Sequence, residues 1–569
     1  MKDCGVVVAM VLGHNWVPIP SKGFAVNVGT VLAPPGTCHD QWQETRLGTW
    51  SAERAGAGRR TRSSPRGEAV HMAKGSSVIS NRTSTKGDAP VNTDASWPEP
   101  SQAWARVLTM QTRLHRWAMS DPGRRFDDVF NLVHDPAFLV AAWTRVRDNR
   151  GARTAGIDGL APRDVPGERV LIGLARLREQ IRTGTFSPQV VRAKSIPKAN
   201  GKVRTLGIPT TADRIVQASL KLVLEPIFEA DFKPSSYGFR PRRRAQDAIA
   251  EIHYLGSGTR DYSWVFDVDI SKCFDMIDHS ALMGRVRLRI KDQKVLRMVR
   301  GFLKAGVLSE DGSRRETIIG TPQGGILSPL LANIALSVLD EYFAAKWAAL
   351  GPEWTRVKHR RAGGPVMKVI RYADDFVVMV HGQRHHAEAL WDDVAAVLAP
   401  MGLSLSVEKT SVVHLDDGFD FLGWHIQRRR MRGRGGRTAV YTYPSAASLA
   451  KVRDKVRRMT RRASHRTLAD LLRWLNPALR GWCAYFQHGV SKATFSYLDR
   501  FAFWRIVGWL KKRHPRLNMH TLVRRHLPGW QIRDGGIEFF RVWKVPVTRY
   551  RYRGAKIPTP WTSAATAAA

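Results

Sequence analysis

Cysteine is scarce in this chain, and so is negative charge. Four cysteines in 569 residues (Cys4, Cys38, Cys273 and Cys483) stand far apart with no Cys-x-x-Cys pair. That spacing excludes a disulfide-stapled scaffold and a zinc knuckle, and it fits a reducing cytoplasm. No apolar run reaches the roughly 18 residues of a membrane span. The opening GVVVAMVLG is followed by no convincing small-x-small cleavage site. Acids number 49 against 90 lysines and arginines, a formal net charge of +41. A surplus of that size points to a polyanionic partner, nucleic acid before all others. A cationic membrane anchor would need a strong amphipathic helix, and none stands out. What the chain has in quantity, besides arginine, is tryptophan: 19 residues, suited to stacking on bases as well as to packing.

Residues 1–103 collect Gly, Ser, Thr, Pro and Arg without a sustained period and are expected to be a low-complexity, disordered extension. From Trp104 the pattern turns helical: Val107, Leu114 and Trp117 recur on one face, and a second helix is expected over Phe126 to Val146. The middle third alternates strands and helices, an α+β arrangement. WVFDVDI (Trp264 to Ile270) reads as a strand with Asp267 and Asp269 on the same face. Ser328 to Ala345 opens on Ser-Pro and carries Leu331, Ile334, Val338 and Leu339 along one side, as a helix does. Another helix is expected between Arg384 and Met401, followed by strand, turn and strand in GLSLSVEKTSVV. Past Pro444 the chain is helical and very basic, with an apolar stripe of Leu449, Val452, Val456 and Met459 among arginines.

VIRYADDFVVMV (Val369 to Val380) places Asp374 beside Asp375 between two apparent strands. Adjacent acids repel, so a tight turn that holds both costs stability unless a cation sits between them. A solvated Asp-Asp turn is the plainer reading and stays open on this stretch alone. An acid from a neighbouring strand, such as Asp269, would give the turn the oxygen donors that magnesium prefers. Two ions roughly 3.5–4 Å apart are what nucleotidyl transfer uses.

The words around these acids resemble one family. RYADDF looks like the Tyr-Ala-Asp-Asp box of reverse transcriptases, FDVDISKCFDMIDH (Phe266 to His279) like the strand of their first catalytic aspartate, and GTPQGGILSPLLANIAL (Gly320 to Leu336) like their Pro-Gln-Gly loop and its helix. NRGARTAGIDG, IPKANGKVRTLGIPTTADRIVQ, SSYGFRPRRRAQDAI, GLSLSVEKT and FLGWHI follow the order seen in group II intron maturases, and GWCAYF (Gly481 to Phe486) resembles the core of their thumb. The resemblance runs from about residue 104 to about 550. It implies a right-hand polymerase with an antiparallel palm sheet: fingers and palm over 104–430, an α-helical maturase thumb over 445–515, and a basic tail over 516–569.

Carried over by position, Asp269, Asp374 and Asp375 match the catalytic metal-binding triad, with the Ile270 carbonyl as a further ligand of two Mg²⁺ ions. Phe274 matches the ring that blocks a ribose 2′-hydroxyl, with a plain core aromatic as the alternative. Lys198 and Arg204 match the grip on the incoming deoxynucleoside triphosphate, with two solvated bases as the alternative, Gln323 and Gly324 the loop beneath the templating pair, and Lys409 a cation near the triphosphate, with a structural lysine as the alternative. Arg457, Arg458, Arg461 and Arg462 are expected against RNA backbone, and Phe501, Trp504 and Trp509 in packing. Asp267 and Asp275 fall outside the triad and read as surface or hydrogen-bonding acids. The implied partners are intron RNA, an RNA template and a DNA primer or target, with no membrane. With no cysteine after Cys483, a zinc-bearing endonuclease domain is not expected. Two rival functions are an intron-free reverse transcriptase in defence or repair, and a splicing-only RNA-binding maturase.

Overall fold

The computed structural model describes residues 96–197, 203–309, 313–315, 319–321, 324–431, 437–461 and 467–562. The extension expected over 1–103 lies outside them up to residue 95, as do Lys198, Gln323 and Arg462, and of Arg204 only the backbone is described. Helix α1 (Pro100–Ser120) opens with proline at its first position, where a missing N–H costs nothing. Val107 and Leu114 of its expected stripe are buried, while Trp104 stays half-open. The single helix expected over Phe126 to Val146 is instead a short turn (Phe130–Val133) followed by α2 (Pro136–Asp148). Asp135 and Pro136 make that break. The residue before a proline is pushed out of helical conformation, and the Asp135 carboxylate then caps α2 by accepting from Ala137 N at 2.8 Å.

Strands β1 (Val191–Pro197) and β2 (Val203–Ile208) pair antiparallel from Arg192↔Ile208 to Pro197↔Val203. Helix α3 (Thr211–Glu229) is buried almost all round, and α4 (Ala245–Gly256) leads into β3 (Trp264–Val268) and the single turn α5 (Cys273–Met276). β4 (Val307–Leu308) then returns beside β1 and pairs with β5 (Arg314–Arg315), giving a four-stranded sheet of order β2-β1-β4-β5.

The second sheet carries the acids. Helix α6 (Ser328–Ala349) precedes β6 (Val366–Tyr372) and β7 (Asp375–His381), and β8 (Ser411–His414) closes the order β6-β7-β3-β8, with every neighbour antiparallel. Phe266, Val268, Phe376, Val378 and Val380 face one core, shared with α3 and α6; Val265, Ile370, Val377 and Met379 face another, shared with the helices that follow. A sheet covered on both sides reads as a near-continuous apolar run, which is why FVVMV shows no polar alternation. Each such side chain contributes about 1.5–3 kcal/mol by leaving water.

Beyond this sheet, β9 (Phe419–Phe421), β10 (Trp424–Arg430) and β11 (Thr438–Pro444) form a three-stranded sheet, followed by α7 (Ala446–Arg461), α8 (Leu468–Phe486) and α9 (Lys492–Arg513). Two words quoted from the sequence meet here. Trp424 of FLGWHI is buried against Phe486 of GWCAYF, ring centroids 4.8 Å apart, and Tyr485 Oη donates to the Leu422 carbonyl at 2.8 Å. Gly489 makes the contact possible, since a Cβ there would stand 2.2 Å from the Trp424 ring.

The segment read as a basic C-terminal tail is, over its described part, a seated strap. After α10 (Met519–His526), Tyr550 and Arg553 reach Asp247 on α4 at 3.0 and 2.7 Å. Tyr552 stacks on Tyr254 at 4.5 Å, and Trp561 Nε1 donates to Gln111 of α1 at 3.2 Å. Among the described residues no helix is long and apolar enough to cross a membrane.

Candidate active site

β6 and β7 are joined by a turn of two residues, Ala373 and Asp374, closed by the pair Tyr372↔Asp375. Of these two only Ala373 has positive φ, at 62°. That is the II′ pattern, whose right-handed twist suits a tight hairpin but whose first position favours glycine. The strain is held by Arg371, whose side chain is wholly buried. Its Nη1 donates to the Ala373 carbonyl at 3.0 Å and to Asn333 Oδ1 at 2.9 Å. Its Nη2 donates to Ser236 Oγ at 2.8 Å and to Asp340 Oδ2 at 2.5 Å. Asn333 and Asp340 both stand on α6, and Asn333 Nδ2 also donates to the Gly238 carbonyl at 2.8 Å. Gly238 lies so close to the turn that a Cβ would meet Ala373 N at 2.3 Å. Three sequence words thus clamp one turn.

Asp269 follows directly on β3, whose last residue, Val268, pairs with Phe376, so the acid lies across from Asp375. Its backbone is fixed from the other side: Ser406 N donates to its carbonyl at 2.8 Å and Ile270 bridges to Leu405. Lys409 Nζ lies 2.6 Å from Asp269 Oδ2, with 62% of the lysine side chain open to water. Burial, then Asp374 and then Asp269, push the Asp375 carboxyl up to about 6, while Lys409 pulls the other way. More than a third of Asp375 is nevertheless open to water, which screens the energetic cost. Asp267 is half-buried, so of the two readings expected for it the hydrogen-bonding one stands, with a backbone hydrogen bond at Val268, and burial with Asp375 and Asp269 raises it to about 7. Asp275 is exposed, as expected. Among the described residues no three His, Cys, Asp or Glu side chains form a ready-made metal cage. The acids form an open cluster with one lysine as countercharge.

The described parts of the Gly320–Leu336 stretch, Gly320–Thr321 and Gly324–Leu336, are tied to the segment after β3 and to α3. Thr321 N donates to the Phe274 carbonyl at 2.6 Å and Gly320 N to the Ile277 carbonyl at 2.8 Å, with Gly320 at φ 84° against the Asp275 backbone. Phe274 itself is half-buried and leans on the core shared with α3 and α6. Gly324, at φ 115°, abuts β2: a Cβ there would stand 2.5 Å from the Gly207 carbonyl. Gln217 of α3 accepts from Ile326 N at 2.8 Å and ties the loop to the same layer. Arg204 lies on β2 opposite Ile196.

On α7, Arg458 and Arg461 are exposed, whereas Arg457 is already engaged: its Nη1 lies 2.6 Å from Asp454 and its guanidinium 5.5 Å from the Phe501 ring. Trp509 packs inside and Phe501 is half-buried, but Trp504 is 51% exposed, against the expectation that all three pack. Helix α9 presents that position outward, a face its apolar composition did not reveal.

A palm sheet with acids at one end, a finger sheet moored to it and a helical thumb together define a right-hand, template-copying polymerase. Residues 196–426 match the reverse transcriptase (RNA-dependent DNA polymerase) family, and residues 449–527 match the group II intron maturase-specific domain. The chain is 36% identical to Protein YkfC of Escherichia coli K12 over 62% of its own length and 97% of that protein. It is 30% identical to the group II intron-encoded protein LtrA of Lactococcus lactis subsp. cremoris, over 70% of this chain and 76% of that one. It also shares 28% identity with the putative COX1/OXI3 intron 1 protein of Saccharomyces cerevisiae, over 53% of this chain and 39% of that one. The chain belongs to the group II intron-encoded reverse transcriptases and is an RNA-directed DNA polymerase with a maturase domain.

Proposed function

We propose that DNA synthesis runs at Asp269, Asp374 and Asp375, with fingers and palm within 104–430 and an RNA-holding thumb within 445–515. The observation that carries this is the meeting of an acidic hairpin tip with the acidic end of β3, where Lys409 pairs with Asp269. The donor set fits magnesium in kind: the carboxylate oxygens of Asp375 with Asp374 and Asp269 close enough to raise its pKa, as suits an ion that takes further oxygens from water and phosphates. When bound, magnesium would acidify the primer 3′-hydroxyl and neutralise charge on the leaving pyrophosphate. Asp269, Asp374, Asp375 and the Ile270 carbonyl would hold it. Arg371 keeps the turn in register by fixing the Ala373 carbonyl. Phe274 would collide with a ribose 2′-hydroxyl and so favour deoxynucleoside triphosphates. Lys198 and Arg204 would grip the triphosphate, Gln323 and Gly324 would support the templating pair, and Lys409 would turn from Asp269 towards phosphate. Two buried, unpaired cysteines, Cys273 and Cys483, accord with a reducing cytoplasm.

The same reading gives the thumb arginines to intron RNA. Asp374→Ala with Asp375→Ala should abolish primer extension on an RNA template and leave intron binding and assisted splicing intact. Arg458→Gln with Arg461→Gln should weaken intron binding and flatten its salt dependence by up to about 0.9 per lost phosphate contact. Failure of the folded acid variant to splice, or an unchanged salt slope in the arginine variant, refutes the division of labour.

A further inference from the structure

Between the thumb helix α9 and the segment that follows the thumb lies an open cleft of about 460 Å³ that the polymerase reaction does not use, lined by Asp499, Arg500, Phe503, Trp530, Arg541 and Trp543. We propose that this cleft is a stacking site for an unpaired base of RNA, a proposal that rests on the thumb's RNA-holding role. Trp530 and Trp543 are 49% and 44% exposed, unusual for the largest side chain, and they stand on two different short turns, Pro528–Trp530 and Val542–Lys544. Trp530 is displayed at a conformational cost, since it has a positive φ of 58°, a region that glycine, as at Gly529, adopts freely but tryptophan does not. Backbone strain of this kind persists where the surroundings impose it, and it collects at binding sites. Trp504, an exposed ring of α9, stands edge-on to Trp530 at 6.2 Å and extends the aromatic surface.

The floor is built and charged. Asp499 is buried and spends its carboxylate on Arg541 Nη2 at 2.9 Å and Val542 N at 2.7 Å. Arg541 is thereby held over the Phe503 ring, guanidinium 5.8 Å from its centroid. A guanidinium and rings fixed in advance offer a base its π-faces without ordering cost. Lys544 lies 6.0 Å from the Trp543 ring, and Arg500 is exposed, with no acid paired to it among the described residues. The one acid lining the cleft is thus neutralised and its rim is cationic. That charge suits the phosphates flanking a splayed base, whereas a greasy peptide would leave the guanidinium of Arg500 unanswered. Duplex RNA hides its base faces, so the ligand is a loop, bulge or single strand.

The test is a binding cycle on the full chain with a single-stranded RNA oligonucleotide, intact or with one abasic position walked along it. Trp530→Ala with Trp543→Ala should weaken binding of the intact strand about ten- to a hundredfold while leaving the salt slope unchanged, because stacking releases no counterions. Some abasic position should weaken the wild type to a similar degree and cost the variant nothing more. Trp543→Phe should restore most of the loss. Should the double variant fold poorly, Trp543→Ala and Arg500→Gln decide singly: the first should shrink the abasic penalty, and the second should lower the salt slope and keep the penalty, so that an undiminished penalty in Trp543→Ala overturns the assignment. An abasic penalty equal in wild type and variant, or no penalty anywhere, overturns the cleft's assignment. Absence of RNA binding by the wild type at any salt would instead defeat the broader reading of the thumb.

Discussion

Replacing Arg371 by methionine keeps an unbranched, flexible side chain, two atoms shorter, and removes the charge from a site with no access to water. Asp340, also wholly buried, would lose a partner that reaches it three times, at 3.1, 3.2 and 2.5 Å. Breaking a buried pair in this way costs about 3–5 kcal/mol, because the remaining charge is stranded. The Ala373 carbonyl and Asn333 Oδ1 lose a donor as well, at about 1–3 kcal/mol for each group left unsatisfied. These losses overlap, so we expect a destabilisation of about 4 kcal/mol, read as a lowered denaturation midpoint. A second variant separates stability from function. Arg371→Met with Asp340→Leu exchanges the pair for apolar groups, which is about neutral when the replacements pack. Stability should return, but primer extension should stay about 10- to 100-fold down, since nothing donates to the Ala373 carbonyl and support of a metal-ligating turn has that worth. Recovery of both stability and extension in the double variant would refute the positioning role. A cost below about 1 kcal/mol for Arg371→Met would refute the clamp altogether.

Phe274→Ala should lower the preference for deoxy- over ribonucleotides about tenfold, read as the ratio of kcat/KM for the two substrates on one template; an unchanged ratio returns Phe274 to the core against which it leans. Lys409→Gln frees an Asp269 oxygen from the cation paired with it among the described residues. It should tighten Mg²⁺ binding to the nucleotide-free protein, measured by calorimetry, while raising KM for the deoxynucleoside triphosphate. Weaker Mg²⁺ binding would show that Lys409 supports the site instead of competing for it.

The fold's outline was legible because motifs with fixed spacing survive in single-sequence form. Asp269, Asp374 and Asp375 were found as acids at strand ends in an otherwise basic chain, and the structure sets Asp269 across from Asp375. What holds them is not legible in the sequence alone. Arg371 sits one residue before the box that drew attention, yet a lone arginine in a strand looks like one more surface cation. Its signal is paired and distant: an acid, Asp340, on the apolar side of α6 answers it 31 residues away. Gln217 and His279 were missed for the same reason, since their partners are backbone groups of a loop that periodicity cannot place; His279 Nε2 lies 2.5 Å from the Gly320 carbonyl. The break at Asp135–Pro136 was available from turn chemistry and lost to a helical pattern that carried through it. The seated strap escaped because its anchors, Tyr550, Tyr552, Arg553 and Trp561, lie in a basic stretch without helical or strand period.

The central claim is that the acid cluster performs the chemistry, and Asp269→Asn addresses it with the least disturbance, since the amide keeps the carboxylate's shape. The measurement is single-turnover extension of a DNA primer on an RNA template at saturating Mg²⁺, with RNA affinity measured alongside to show an intact fold. The account predicts a fall of about a thousandfold or more in the extension rate with RNA affinity unchanged. Extension within about tenfold of wild type would place the chemistry elsewhere.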